Sequence, residues 1–253
     1  MFGTLCFKET KKRFKKCIRI EEKNIGEVDF LQVTCFKKLN SKKIEKKLKK
    51  RIDTIILSDN ISGIQFERIA VYNNTDFLKT IATYTFKNII RLSGIPSNKL
   101  SVCLIDKKGE FTSFAYSLAN CASVVKITTD NDEKYNEIAE NIYDDFGMNP
   151  IISKEISSAD LGLDLSENIP KIWFNCPENF AEINKSCVKL GAGLRSYVPK
   201  GINQCDFAGV LQNYKDFKRL KLLNADVMIK NKKIYKINKE NIKNFLDNND
   251  IYC

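Results

Sequence analysis

The sequence predicts an α/β fold: a parallel sheet with helices on both faces, a small basic N-terminal α/β portion before it, and a mixed C-terminal appendage after it. Three observations predict this. Residues 100–176 alternate short apolar runs with stretches of helical period, the rhythm of a strand–helix–strand–helix–strand unit. The run Val102-Cys103-Leu104-Ile105 is apolar without a break, as a strand covered on both sides must be. The chain has 253 residues, 43% of them hydrophobic, enough to bury a substantial core. The division that follows is residues 1–95 for the basic portion ending in a long helix, 96–180 for the parallel-sheet domain, and 181–253 for a hairpin and helix appendage.

In chain order, Phe14 to Ile20 and Asp29 to Phe36 are rich in β-branched and aromatic residues, and Glu22 to Gly26 between them has turn chemistry, so they predict an antiparallel pair. Ser41 opens a helix whose thin apolar stripe is Ile44 and Leu48, while Lys42, Lys43, Lys46, Lys47, Lys49 and Lys50 hold the rest of the segment. Thr54–Leu57 and Ile64–Val71 read as strands. A long helix carries Phe77, Ile81, Tyr84 and Ile89, and ends at Gly94 and Pro96.

Past the strand at 102–105, Asp106-Lys107-Lys108-Gly109 turns the chain, and Phe111, Phe114, Ala115 and Leu118 recur at helical spacing. Val124, Val125 and Ile127 form the second strand. Tyr135, Ile138, Ala139, Ile142, Tyr143 and Phe146 mark the clearest helix, stopped by Gly147. Ile151-Ile152, Leu161–Leu165 and Lys171–Asn175 are further strands. Beyond Pro177 the pattern weakens until a hairpin around Asn231-Lys232 and a last helix with Ile242, Phe245 and Leu246.

Composition excludes several kinds of chemistry. The chain has no histidine, which removes Ser-His and Cys-His nucleophile pairs and every His-containing metal site. Its nine cysteines include no C-x-x-C pair, so no metal is expected, and reduced core thiols are the plain reading. No apolar run approaches the length of a membrane helix, and the cations of the first residues lack a following apolar leader stretch, so the expected location is cytoplasmic. The net charge is +11, with 17 Lys and Arg against 8 Asp and Glu in residues 1–60. Through Lys42, Lys43, Lys46, Lys47, Lys49 and Lys50 this basic quarter points to nucleic acid or an acidic protein partner, or else to a solvated face. No interleaved aromatics support base stacking there.

The candidate site residues sit at the ends of the predicted parallel strands: Asp106 and Gly109 after the first, and Asp130 after the second. The segment from Leu100 to Asn175 resembles the NAD(P)-binding Rossmann domain of the shikimate-dehydrogenase type in element order and in the placing of Asp130 21 positions beyond Gly109. The resemblance implies a Rossmann-like fold, an NAD(P) cofactor, and Asp130 on the adenine-ribose hydroxyls. The chain departs from that pattern in its glycines. Of the G-x-G-x-x-G turn that lets backbone approach a pyrophosphate, Asp106-Lys107-Lys108-Gly109-Glu110-Phe111 keeps Gly109, and Asp106 and Glu110 place negative charge where phosphates would lie. Asp130 also fits a helix N-cap, since Glu133 follows three residues on. Cys176, at the end of a predicted strand, is the candidate nucleophile, although Glu178 beside it disfavours a thiolate and a buried structural thiol is the alternative. Gly191-Ala192-Gly193-Leu194-Arg195 is a turn rather than a phosphate loop, lacking a preceding strand and a Lys-Ser/Thr pair.

Three functions remain open: a ligand-binding or non-catalytic protein with a degenerate dinucleotide site taking a small molecule or nucleotide, an NAD(P)-dependent oxidoreductase with an altered phosphate turn, or an interaction protein using its basic N-terminal region. Whether it is an enzyme stays open at this point.

Overall fold

The computed structural model describes residues 1–8, 17–37, 40–48, 50–214, 223–224 and 227–247. In chain order the elements are β1 (Phe2–Phe7), β2 (Ile18–Ile25), β3 (Val28–Cys35), α1 (Ser41–Leu48), β4 (Thr54–Leu57), β5 (Ala70–Val71), α2 (Thr75–Ser93), β6 (Ser101–Ile105), α3 (Thr112–Ala119), β7 (Val124–Thr128), α4 (Asp132–Phe146), β8 (Ile151–Ser153), β9 (Leu161–Asp164), β10 (Lys171–Phe174), β11 (Cys176–Glu182), β12 (Lys189–Leu190), α5 (Ala192–Arg195), α6 (Gln204–Tyr214), β13 (Leu223–Asn224), β14 (Val227–Lys230), β15 (Lys233–Lys236) and α7 (Lys239–Asp247). They form two units, each discontinuous in sequence: residues 1–74 with 188–224, and residues 75–187 with 225–253. The helix α2, which a sequence boundary at residue 95 groups with the N-terminal portion, belongs to the second unit.

The first unit is built on a sheet of order β2-β3-β1-β4-β5. Strand β1 pairs parallel with β3 and β4, and β4 with β5. An antiparallel pair is present as β2 and β3, but β2 runs on to Ile25 through residues expected to turn, and residues 14–16 of the predicted first strand lie outside the described residues. The strands join at Gly26, whose φ of 60° is the left-handed value a tight turn needs. On one face, Leu5, Leu31, Val33, Cys35 and Ile55 pack against Ile44 and Leu48 of α1. On the other, Phe2 and Phe30 stack at 5.2 Å, and Phe207 of α6 meets both edge-on. Parallel strands buried on both faces are thus flanked by a helix on each. The predicted strand Ile64–Val71 shrinks to the two exposed residues of β5.

The second unit holds a sheet of order β15-β14-β11-β10-β9-β6-β7-β8. Strand β6 pairs parallel with β7 and with β9, and β7 pairs parallel with β8, as the strand–helix rhythm predicts. From β9 to β15 every pairing is antiparallel. Among the described residues the helices of this unit share one face of the sheet, where the sequence predicts helices on both. The crossovers through α3 and α4 step in one direction along the sheet, so their common right-handedness puts both helices on one face. Phe86 of α2 contacts Phe114 of α3, and Phe174 of β10 packs on Phe245 of α7, extending that layer. The opposite face carries Cys103, Ile105 and Trp173 with Ala159, a cluster containing no helical residue. The antiparallel half of the sheet needs only short turns, so it supplies no crossover helices for the second face.

Local chemistry explains the ends of these elements. Gly147, at φ 65°, caps α4 and donates its N–H to the Tyr143 carbonyl. Asn231 and Lys232 both adopt positive φ, the type I′ geometry of a two-residue hairpin between β14 and β15, although lysine is an uncommon second residue there. Among the described residues no helix is long and apolar enough to cross a membrane. Among the described residues no two cysteines are joined by a disulfide, and Cys6, Cys35, Cys103, Cys187 and Cys205 are buried. Cys253 lies outside the described residues.

Trp173, 2% exposed, lies over Gly162, the residue opposite it on β9. A Cβ at Gly162 would fall 1.7 Å from an indole carbon, so any side chain there displaces the largest residue of that face. Gly162→Ala is expected to cost about 3 kcal/mol or more in urea unfolding, above the usual range for an overpacked core. Gly193→Ala, with nothing near its Cβ position, serves as the neutral control. Equal midpoints for the two variants would refute this packing.

Candidate functional site

In open α/β sheets ligands bind beyond the carboxyl ends of the strands, where strand order reverses. In the second unit that point lies between β6 and β9. The chain steps from β6 outward to β7 and β8, then returns to pair β9 on the other side of β6. Asp106 follows β6 directly and is 2% exposed. Its Oδ2 accepts the Phe111 N–H at 2.7 Å and the Tyr135 hydroxyl at 2.7 Å. Phe111 is the N-cap residue of α3, so a carboxylate of the chain itself sits where helix N–H groups would meet a phosphate. Burial, with the bond to Asp106, pushes the Tyr135 phenol above its ordinary value, so it remains a proton donor.

Gly109 has φ 65°, and its N–H closes the turn on the Asp106 carbonyl at 3.3 Å. The turn is covered by Lys134 of α4, whose Cδ would lie 2.9 Å from a Cβ at Gly109. The Lys134 ammonium donates to the Gly109 carbonyl at 3.2 Å. Asp130 is held by Lys107, whose Nζ lies 3.2 Å from its Oδ1 and also reaches the Lys154 carbonyl at 3.1 Å. This ion pair is half in solvent and contributes little to stability, but it ties together the ends of β6, β7 and β8. The helix cap of α4 is Asn131, not Asp130. Asp106, Gly109 and Asp130 therefore converge on one edge, as their positions after parallel strands predict, and the bonds above join them to other groups of the chain.

Cys176 lies elsewhere. It follows β10, which runs antiparallel to β9, and Phe174 pairs with Leu161 at the start of β9. Cys176 is thus at the amino edge of the parallel strands, away from Asp106, Gly109 and Asp130. The neighbouring Lys230 has its pKa lowered by burial, partly offset by Cys176. One cavity of the unit, about 630 Å³ and also on the amino edge, is lined by Ser97, Asn98, Asn120 and Ser123 among others, and by no titratable group.

The sequence reading overlooked two groups on the carboxyl edge. Lys79 of α2 has a side chain 7% exposed, 3.8 Å from Glu110 and 6.0 Å from the Phe111 ring centre. Its signal was available: Lys79 shares the helix face of Ala82 and Phe86, both fully buried. Asp164 ends β9 and accepts from the Ser166 N–H and hydroxyl at 2.8 and 2.6 Å. Both strand ends at the reversal point thus carry a carboxylate. Among the described residues no group of three or more His, Cys, Asp or Glu is placed to hold a metal ion.

Of the basic residues in the first unit, Lys42, Lys43, Lys46, Lys47 and Lys50 are exposed, and Lys42 pairs with Glu67 at 3.1 Å. Lys49 lies outside the described residues. No protein-family model, curated protein or solved structure matches the chain.

The buried hydroxyl and thiols set an alkaline limit. Burial pushes the Cys103 thiol up to about 11, and Tyr135 is raised too. Groups raised on folding stabilise the native state fully below their unfolded values, from pH 9.0 for the thiol and 10.0 for the phenol, and lose that contribution as pH climbs through the folded values. Unfolding free energy should therefore be level near neutrality and fall above pH ~9. Tyr135→Phe should lower it by about 1–3 kcal/mol at neutral pH, by removing one donor from a buried carboxylate, and should flatten the decline above pH ~10. Chemical denaturation across that range checks both, and an unchanged slope in the variant would refute the assignment.

Proposed function

We propose that the protein is a non-catalytic ligand-binding protein on a Rossmann-like scaffold, in which the dinucleotide crevice of the second unit is filled by its own side chains. The observation that carries this reading is the Asp106 carboxylate, bonded to the α3 N-terminus through Phe111. A bound pyrophosphate would have to displace it or lie beside it. Two like charges at ~4 Å repel by about 1 kcal/mol in water and about 4 kcal/mol at the effective dielectric of a protein surface. Lys134 over Gly109 supports the same reading, because it covers the backbone that phosphates would approach. Asp130, the expected ribose acid, is engaged by Lys107.

The oxidoreductase reading requires this edge to bind NAD(P) with Asp130 on the ribose. A melting-temperature screen with NAD, NADP and their reduced forms tests it. A ligand at 100 times its dissociation constant adds about 2.7 kcal/mol, several degrees for a domain of this size. No shift dependent on Asp130 is expected. A clear shift abolished by Asp130→Ala would establish a working ribose site and overturn the proposal.

A further inference from the structure

The first unit also has a carboxyl edge, and there the chain leaves it open. Strand β1 is central, with β3 on one side and β4 on the other, so strand order reverses around it. Beyond the ends of these strands lies a cavity of about 520 Å³. That volume is within the ordinary range for small-molecule sites, about 300–1,000 Å³.

The face of the sheet that enters this cavity changes character along its length. At the amino end it is aromatic, with Phe2 and Phe30 against Phe207. Two and four residues further along the same face the positions are Thr4 and Cys6 on β1, and Gln32 and Thr34 on β3. On β4 the row holds the buried Ile56 opposite Thr4, and Ser58 just past the strand lies beside Cys6. Gln32, Thr34, Cys6 and Ser58 line the cavity. The opposite face of the same strands stays apolar to its end, through Leu5, Val33 and Cys35. Packing therefore does not explain the polar half. The Thr4 hydroxyl is fully buried with no hydrogen-bond partner, which costs stability that valine in its place would not.

The cavity is also cationic. Lys8, Arg19 and Lys200 line it, against the single carboxylate of Glu21, which pairs with Arg19. Among the described residues neither Lys8 nor Lys200 has an ion-pair partner. Three cations around a polar floor at a strand-order reversal suit a compact dianion carrying a polar body.

We propose that this edge binds a small phosphorylated metabolite of up to mononucleotide size, its phosphate held by Lys8, Arg19 and Lys200 and its hydroxyls facing Gln32, Thr34 and Ser58. The site is independent of the filled crevice in the second unit. Loss of binding through Lys8 or Lys200, rather than through Asp130, separates the fate of this proposal from that of the function above.

Isothermal titration of the full chain at about 150 mM salt, where diffuse surface attraction is largely screened, tests it. The titrants are ribose 5-phosphate, AMP, inorganic phosphate and adenosine. The variants are Lys8→Glu and Lys200→Glu, with Lys23→Glu as control on the far part of β2; all three positions are exposed. The expected result is saturable binding of at least one phosphate ester, weaker or absent binding of inorganic phosphate, and none of adenosine. Each cavity variant should weaken ester binding about tenfold or more, and the control should change it less than about twofold. The proposal is overturned if no ester binds the intact chain, if inorganic phosphate or adenosine binds as tightly as the esters, if all three variants weaken binding alike, or if binding survives both cavity variants.

Discussion

A buried carboxylate must be solvated by the protein that buries it, and in the second unit that constraint falls on Asp106. Taking an ionised side chain out of water costs several kcal/mol unless donors replace the lost hydration. Here the donors are the Phe111 N–H and the Tyr135 hydroxyl, at 2.7 Å each. The first belongs to the start of α3 and the second to the first turns of α4. One oxygen thereby locates two helices against the end of β6, and a neutral phenol is required for it to do so. Gly109 and Lys134 complete the arrangement, since the turn can come this close to α4 because it lacks a Cβ. What would be a mouth in a dinucleotide-binding sheet is a structural joint in this one.

The topology of the same unit follows from where its sheet changes direction. Parallel pairing through β6, β7 and β8 demands crossovers, and crossovers of one hand along one direction build a single helical layer. Once β9 is in place the chain proceeds by antiparallel turns, and the second face is left to side chains. Trp173 over Gly162 is the consequence: a large ring lies flat across a strand that has no side chain at the point of contact. The same reversal of direction puts Cys176 on the amino edge. A residue at the end of a strand lies at the functional edge when that strand runs with its neighbours, and β10 does not.

Local signals carried much of this fold. The uninterrupted apolar run at 102–105 and the 3.6-residue repeat through Tyr135, Ile142 and Phe146 identify β6 and α4 because burial on both faces and on one stripe leave different patterns. The convergence of Asp106, Gly109 and Asp130 followed from the same run of elements. Non-local facts were not legible. Strand direction for β10 depends on a partner that the sequence does not specify. Strand β1, Phe-Gly-Thr-Leu-Cys-Phe, mixes a glycine and a threonine into a fully buried position, so neither alternation nor continuous hydrophobicity marked it. Without β1 the first unit reads as a hairpin, a helix and two further strands, with no central strand to join them in a parallel sheet. Lys79 was hidden for a different reason: a lysine in a helix is ordinarily solvated, and its burial shows when the buried face of α2 is traced through Ala82 and Phe86.

The two units answer the same problem in opposite ways. The carboxyl ends of parallel strands present unpaired backbone groups and a concave rim, which must be met by side chains of the chain, by water or by a ligand. In the second unit Asp106 takes a tyrosine hydroxyl, Lys134 a backbone carbonyl and Lys107 the Asp130 carboxylate, so the charged groups there are bonded within the chain. In the first unit the rim keeps an excess of cations over a floor of hydroxyl, amide and thiol groups. Selection for stability alone would favour the closed solution in both, because cations gathered around one cavity repel one another. An edge that gathers Lys8, Arg19 and Lys200 around polar side chains in one cavity is therefore the edge that an anion would complete.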